Sequence, residues 1–231
     1  MKSSTNQIDI PFIAVHNEGL EVKNISKAYN KKKIINNVSI SLNRGESVAL
    51  LGPNGAGKST LFYIIMGLIG LDSGSILLDK NNISEYPMYR RSKMGLGYLP
   101  QEASIFRGLN VEENISAILE KTISNSEERK KKLEKLLSDF GIEHVRNSPS
   151  LSLSGGERRR LEIARCMASK PNFILLDEPT LGLDILYRKA FYKTILQDNH
   201  AKQRTVLIAT HQVEEVESLL NELITDPNLQ N

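Results

Sequence analysis

The sequence predicts an α/β fold. Nearly continuous apolar runs, such as those in ESVALLG and NFILLDEP, alternate along the chain with helical patterns such as KSTLFYIIMGL and GGERRRLEIARCMAS. Apolar runs of this kind are typical of strands that are buried on both faces of a parallel sheet. Strands that alternate with helices indicate such a sheet with helices packed against it.

The elements follow in order along the chain. Strands are predicted at Leu20–Val22 and in the segments 37–42, 46–52, 74–79, 95–100, 172–179 and 205–210. Helices are predicted to begin near 57, 110, 126, 155, 184 and 212. The helix that begins near 126 places Leu133, Leu136, Leu137 and Phe140 on one face and Lys130, Lys131 and Lys132 on its outer side.

Composition bounds the protein class. The chain has 231 residues, of which 40% are hydrophobic and 25% charged, as is usual for globular proteins. A net charge of +3 is too small to indicate nucleic-acid binding. The single cysteine, Cys166, falls in an apolar helical pattern, which favours a buried residue and a reducing compartment. With no apolar run of membrane-spanning length and no secretion signal, we expect a soluble cytoplasmic protein.

A phosphate-binding loop follows the third predicted strand. The stretch LLGPNGAGKST fits G-x-x-x-x-G-K-[ST] through Gly52, Gly57, Lys58 and Ser59, and it lies between a strand and a helix. Glycines allow backbone N–H groups to approach phosphates, and the helix N-terminus adds positive potential. Lys58 is expected to reach the β- and γ-phosphates, and the Ser59 hydroxyl to bind Mg²⁺.

Two further stretches extend the phosphate chemistry. FILLDEP ends a buried strand in Asp177, which can hold Mg²⁺ through water, and Glu178, which can act as a general base on water. LSGGE begins a helix at which Ser154 and Glu157 can form a capping box. Its bare glycine backbone also makes that helix end a second anion site.

These three motifs, in this order, resemble those of the ATP-binding-cassette (ABC) ATPases, and the resemblance covers roughly residues 19–220. It implies a P-loop NTPase fold with a mixed sheet core, an N-terminal antiparallel β subdomain and an inserted α-helical subdomain. It also implies Mg²⁺-dependent ATP hydrolysis by a homodimer in which each ATP lies between the phosphate loop of one subunit and the LSGGE helix of the other.

The resemblance assigns roles residue by residue. Tyr29 is expected to stack on adenine, Gln101 to touch Mg²⁺ and sense a membrane partner, and His211 to contact the γ-phosphate. Nucleotide contacts are expected from Tyr29, Gly52, Pro53, Asn54, Gly55, Ala56, Gly57, Lys58, Ser59, Thr60, Ser154, Gly155, Gly156, Glu157 and Asp184. Catalytic roles are expected for Lys58, Gln101, Glu178 and His211, and Mg²⁺ contacts for Ser59, Gln101 and Asp177.

The segment GLGYLPQEASIFRGLNVEENI is similar to the ATPases of lipopolysaccharide-export transporters. That similarity implies a groove for a helix of a transmembrane permease, with Phe106 and Arg107 at groove positions. Phe106 could instead pack within its own helical subdomain. After Pro179, the chain is more similar to cassettes of drug- or multidrug-type exporters. It ends about 20 residues after His211, where family members normally continue with two strands and a helix.

The expected organisation is a flexible tail over 1–18 and one ABC ATPase domain over 19–231. Its core covers about 19–104 and 169–231, and its helical subdomain about 105–168. The protein is expected at the cytoplasmic face of the inner membrane, without nucleic acid. The 53 residues from Gln101 to Ser154 leave no room for the coiled coil of chromosome-structuring ATPases. The expected function is to power lipopolysaccharide extraction and export from the inner membrane. The ATPase subunit of a drug- or multidrug-type ABC exporter and a soluble, non-transport ABC ATPase remain alternatives.

Overall fold

The computed structural model describes residues 19–185, 187–189, 191–192, 195 and 204–212 of the chain. The predicted tail over 1–18 and residues 213–223 of the last predicted helix lie outside these residues. The helix predicted over 184–198 is described in part, and its described residues between 185 and 195 are helical.

An antiparallel sheet forms the N-terminal part of the described chain. It contains β1 (Leu20–Tyr29), β2 (Lys32–Leu42), β4 (Ser73–Leu78) and the short β5 (Asn81–Asn82), in the order β2-β1-β4-β5. Register shifts interrupt the β1–β2 pairing between Val22 and Ala28. These irregularities break the period-two pattern of the sequence. The sequence therefore predicts only part of β1 and part of β2 as strand.

A parallel sheet forms the second layer. Its strands are β3 (Ser47–Leu51), β6 (Leu96–Leu99), β7 (Phe173–Asp177) and β8 (Thr205–Thr210), in the order β3-β8-β7-β6. All residues of β7 and β8 are buried, as their continuous apolar sequences predict. The carboxyl ends of β3, β7 and β8 therefore lie side by side at one edge, and the functional residues follow these ends.

Two helices connect the sheets. Helix α1 (Lys58–Met66) begins directly after the glycine-rich loop and buries Leu61, Phe62 and Ile65 in a cluster shared with both sheets. Helix α2 (Met88–Lys93) carries Arg91, a fully buried arginine whose guanidinium donates to the carbonyl oxygens of four residues, Ile64, Ile65, Ser84 and Tyr86. The sequence pattern predicts neither α2 nor β5.

Three helices follow β6: α3 (Val111–Thr122), α4 (Ser126–Asp139) and α5 (Gly155–Ala168). The predicted apolar face of α4 is buried, and Lys130 and Lys131 are exposed on the other side. The apolar cluster of these helices continues into the parallel sheet through Ile174 and Ile208. The proposed division into a core and a helical subdomain stays a prediction. In the described part of the chain, no helix is both long and apolar enough to cross a bilayer.

Candidate nucleotide site

The loop between β3 and α1 has the backbone form that a phosphate cradle requires. Gly55 and Gly57 have φ angles of 80° and 94°, in the left-handed region that favours glycine. At Gly57, a Cβ atom would lie 2.9 Å from the Ile35 side chain and 3.1 Å from the Ile34 carbonyl oxygen. A residue larger than glycine therefore does not fit at this position, which immediately precedes the first residue of α1, Lys58.

Lys58 reaches back across this loop. Its Nζ donates to the carbonyl oxygens of Gly52 at 2.6 Å and Pro53 at 3.2 Å, and it lies 3.8 Å from Glu178 Oε1. The Lys58 ammonium therefore lies at the mouth of the loop, where it can exchange these carbonyl partners for phosphate oxygens.

A cavity of about 290 Å³ lies in front of the loop. It brings together four parts of the chain: one residue of β2, the loop with the start of α1, the second residue after β6, and the end of β7. Its lining residues are Ile34, Asn54, Gly55, Ala56, Gly57, Lys58, Ser59, Thr60, Gln101, Asp177 and Glu178. Most of the predicted catalytic and phosphate-contacting residues of one chain are therefore neighbours.

Asp177, the last residue of β7, has an incompletely satisfied carboxylate. It is 1% exposed, and burial raises its pKa, while hydrogen bonds from the Ser59 and Tyr98 hydroxyls act in the opposite direction. Its Oδ1 atom is buried and has no hydrogen-bond partner in the described part of the chain. Such an atom fits an acceptor role toward Mg²⁺ or a water bound to it, because carboxylate oxygens are preferred Mg²⁺ ligands.

Glu178 is oriented by two residues at the end of β8. Its Oε1 lies 2.9 Å from His211 Nδ1, and its Oε2 accepts from the Thr210 hydroxyl at 3.2 Å. Its backbone has φ 45°, and its N–H donates to the Ala209 carbonyl oxygen at 2.9 Å. The contact between the predicted base and the predicted histidine gives the carboxylate a defined direction at the cavity.

The LSGGE helix end lies apart from this cavity in the single chain. Ser154 and Glu157 form the predicted capping box, in which the Ser154 N–H donates to Glu157 Oε2 at 2.9 Å. The hydrogen bonds from Ser154 lower the pKa of Glu157. A Cβ added to Gly155 or Gly156 would have no atom within 4 Å, so this helix end is open.

Asp184 and Tyr29 also lie outside the residues that line the cavity. The Asp184 carboxylate accepts from the Tyr187 N–H at 3.0 Å, as at the start of a helix. Tyr29 is the last residue of β1 and is 46% exposed, with the Lys27 ammonium 5.6 Å from its ring centre. The roles predicted for both residues, and for the LSGGE motif, stay predictions.

Arg159 is a site residue that the sequence analysis missed. It is 5% exposed, and its guanidinium donates to the carbonyl oxygens of Pro100, which precedes Gln101, and of Asp177, Glu178 and Pro179. It also pairs with Glu162 at 3.1 Å. The available signal is helical spacing, because Arg159 precedes Glu162 and Ile163 by three and four residues on the buried side of α5.

A second, larger cavity of about 600 Å³ forms an apolar groove between α1, α2, β6 and α5. We call it the groove; its walls include Tyr63, Met66, Met88, Tyr98, Arg165 and Cys166. Cys166 is half-buried at the groove, and burial raises the pKa of its thiol to about 11.

Phe106 and Arg107, which are expected at groove positions, are not among the residues that line the groove, but the Arg165 guanidinium lies 4.0 Å from the Phe106 ring centre. The Phe106 side chain is 41% exposed.

Comparisons with known proteins show the family of this chain. The family model described as "ABC transporter" matches residues 35–181. An uncharacterized ABC transporter ATP-binding protein of Rhizobium meliloti (strain 1021) is 49% identical over 202 residues, which are 87% of this chain and 74% of the relative. The lipopolysaccharide export system ATP-binding protein LptB of Escherichia coli (strain K12) is 46% identical over 197 residues, 85% of this chain and 81% of LptB.

Solved structures show the same fold. The dimeric ATP-binding cassette MJ0796, bound to ADP and Pi, has a TM-score of 0.79 and 27% identity, covering 86% of this chain and 90% of that chain. The cassette cbiO1 from Clostridium perfringens has a TM-score of 0.76 and 29% identity, covering 88% and 82%. The predicted P-loop NTPase fold is therefore confirmed, and the chain belongs to the ATP-binding, ATP-hydrolysing subunits of ABC transporters.

Proposed function

We propose that this ATPase subunit powers the extraction and export of lipopolysaccharide from the inner membrane. The observation that carries the proposal is the 46% identity to LptB over 197 residues. Relatives at similar identity whose cargo is uncharacterized do not bear on this choice. The residues of the ATPase site itself fit any ABC transporter, so the cargo rests on the subfamily similarity alone.

The hydrolytic site would act through Lys58, Glu178 and His211. Lys58 neutralises charge on the β- and γ-phosphates in place of its present carbonyl partners. Glu178, held by His211 and Thr210, accepts a proton from a water aligned with the γ-phosphate. His211, whose Nδ1 contacts Glu178 Oε1, stabilises this side chain during the proton transfer. Gln101, at the rim of the cavity, helps to orient the water.

Mg²⁺ fits the site through Asp177, Ser59 and Gln101. In the described part of the chain, no group of three His, Cys, Asp or Glu residues could hold a metal ion by itself. Mg²⁺ in nucleotide sites normally keeps waters and shares phosphate oxygens, so one buried carboxylate with a hydroxyl and an amide is sufficient. When bound, the ion would neutralise charge on the β- and γ-phosphates.

We propose that the groove is the binding site for a helix of the permease. ABC ATPases act as dimers with transmembrane permease partners, and we assign the groove to that contact, together with Phe106, which packs on the lining residue Arg165, and Arg107, the next residue in the sequence. The stacked Phe106–Arg165 pair offers an exposed aromatic anchor of the kind found at interface hot spots. The proposal places the protein on the cytoplasmic face of the inner membrane.

The test is purification of the ATPase with its membrane subunits from the source organism, followed by hydrolysis assays in lipid with and without lipopolysaccharide. We expect lipopolysaccharide-export permease subunits in the complex and a change in hydrolysis rate when lipopolysaccharide is added. Phe106→Ala should weaken the complex and leave the hydrolysis rate of the isolated subunit unchanged. A complex with drug-exporter subunits, or a rate indifferent to lipopolysaccharide, would contradict the assigned cargo.

A further inference from the structure

Tyr98 lies in the wall between the groove and the nucleotide cavity. It belongs to β6, and its side chain lines the groove together with Tyr63 and Met66. Its hydroxyl lies 3.4 Å from Oδ2 of Asp177, which lines the nucleotide cavity. The Tyr98 side chain therefore lines the groove and also contacts a residue that lines the nucleotide cavity.

The Tyr98 ring is held from two sides. Its backbone lies opposite Leu175 in the parallel β6–β7 pairing. Its ring meets Phe62 and Tyr63 edge-on, with ring centres 6.3 Å and 6.1 Å apart and interplanar angles of 85° and 88°. Burial raises the pKa of the Tyr98 hydroxyl, and the neighbouring Tyr63 hydroxyl adds to this effect. Because Phe62 and Tyr63 belong to α1, the position of this hydroxyl is coupled to the helix that begins at Lys58.

Few hydrogen-bond donors hold the Asp177 carboxylate in place. One of its oxygens has no hydrogen-bond partner in the described part of the chain, and its side chain accepts from Ser59 and Tyr98. Ser59 is itself a predicted Mg²⁺ contact, so its hydroxyl is expected to change partners when the ion binds. Tyr98 would then remain as the donor that fixes the carboxylate in the protein frame.

We infer that Tyr98 is a positioning residue: its hydroxyl orients Asp177 for Mg²⁺, and its ring links that carboxylate to the groove wall. The inference rests on the proposed Mg²⁺ site at Asp177. A phenylalanine at this position would line the groove in the same way and could not hold the carboxylate. The hydroxyl therefore connects the surface proposed for a membrane partner with the metal-binding edge of the nucleotide cavity.

The test measures nucleotide affinity rather than turnover. In a Glu178→Gln background, which is expected to slow hydrolysis by about two to four orders of magnitude, ATP is titrated by calorimetry in Mg²⁺ and again in EDTA. Tyr98→Phe should weaken binding in Mg²⁺ about threefold to tenfold, as the loss of one moderate hydrogen bond to a charged group predicts. Binding in EDTA should stay unchanged, because the fold and the phosphate loop are intact.

Tyr63→Phe tests the link to the groove wall. It removes the hydroxyl of a ring that packs edge-on against the Tyr98 ring, so it should weaken binding in Mg²⁺ by a smaller factor. In the Tyr98→Phe chain, this effect should disappear, since contacting residues give non-additive changes. Tyr89→Phe is the matched control. The Tyr89 side chain is 65% exposed and does not line the groove, so the ATP affinity of this variant should equal that of the Glu178→Gln parent.

The outcomes separate the inference from the proposed function. If the Glu178→Gln parent binds ATP no more tightly in Mg²⁺ than in EDTA, the proposed Mg²⁺ site fails, and the inference fails with it. If the parent shows the Mg²⁺-dependent gain and Tyr98→Phe retains it in full, only the inference is overturned. Equal losses in Mg²⁺ and EDTA would also overturn it, since they would indicate a general structural effect.

Discussion

At the scale of single residues, Glu178 combines an unusual backbone with a tightly defined side chain. A left-handed backbone costs a non-glycine residue on the order of 1 kcal/mol. Here the cost is offset by the N–H bond to Ala209 and by Arg159, which donates to the Glu178 carbonyl oxygen at 3.1 Å. The strained turn directs the carboxylate toward His211 and the nucleotide cavity, instead of continuing the pleat of β7.

Glu178→Gln should separate nucleotide binding from hydrolysis. Glutamine has the same shape and can keep a hydrogen bond to His211, but it cannot accept a proton from water. Loss of a general base typically reduces the rate by about two to four orders of magnitude. The measurement is phosphate release together with ATP affinity; Glu120→Gln, an exposed change on α3, should leave both unchanged. Hydrolysis at the parental rate in Glu178→Gln would contradict the assigned base.

At the scale of elements, the sequence best predicts those structural features that depend on local periodicity. The buried strands β7 and β8, the apolar face of α4 and the capping box at Ser154 and Glu157 follow from spacing alone and are confirmed. Arg91 and Arg159 could not be predicted in this way. A buried arginine is stable only where several carbonyl oxygens converge on it, and that convergence comes from tertiary contacts.

The same limit applies to the site. The motifs predict which residues of the phosphate loop, β7 and β8 meet, because parallel strands end at one edge. They do not reveal the contact of Thr210 with Glu178 or that of Tyr98 with Asp177. Threonine and tyrosine at strand ends are common, and only the register of neighbouring strands gives these hydroxyls a partner.

Two helix caps provide a matched comparison at this scale. Asn110 caps α3 and Ser154 caps α5, each in a capping box with a glutamate three residues later. Alanine at either cap should lower the free energy of unfolding by about 1 kcal/mol. If the α5 end also binds phosphate, only Ser154→Ala should weaken ATP-dependent association of two chains. Denaturant unfolding and light scattering measure the two effects; equal association in both variants would contradict a phosphate role for Ser154.

At the scale of the whole molecule, the described part of the chain has open helix N-termini suited to phosphate at α1 and α5, and they do not meet at one cavity within a single copy. The α1 end faces the cavity that contains Lys58 and Glu178, whereas the α5 residues are absent from that cavity's lining. ABC ATPases act as dimers, and the solved relatives include a dimeric cassette with ADP and Pi. A head-to-tail pair would bring the α5 end of one chain to the cavity of the other.

ATP should therefore drive dimer formation, and a charge placed at the α5 end should prevent it. Gly156 has open space around it in the single chain, so Gly156→Glu should fold normally while its carboxylate repels the γ-phosphate of the opposite subunit. Gly70→Glu is the control, since Gly70 is equally open and lies far along the chain from α5.

In the Glu178→Gln background, light scattering should show a doubling of mass with ATP for the parent and for Gly70→Glu, but not for Gly156→Glu. In the unsubstituted chain, which retains Glu178, the hydrolysis rate should rise more steeply than in proportion to protein concentration. If Gly156→Glu still doubles in mass with ATP, the α5 end is not part of the composite site. If the parent binds ATP and stays monomeric, association needs the permease subunits, and the same variants must then be compared in the assembled transporter.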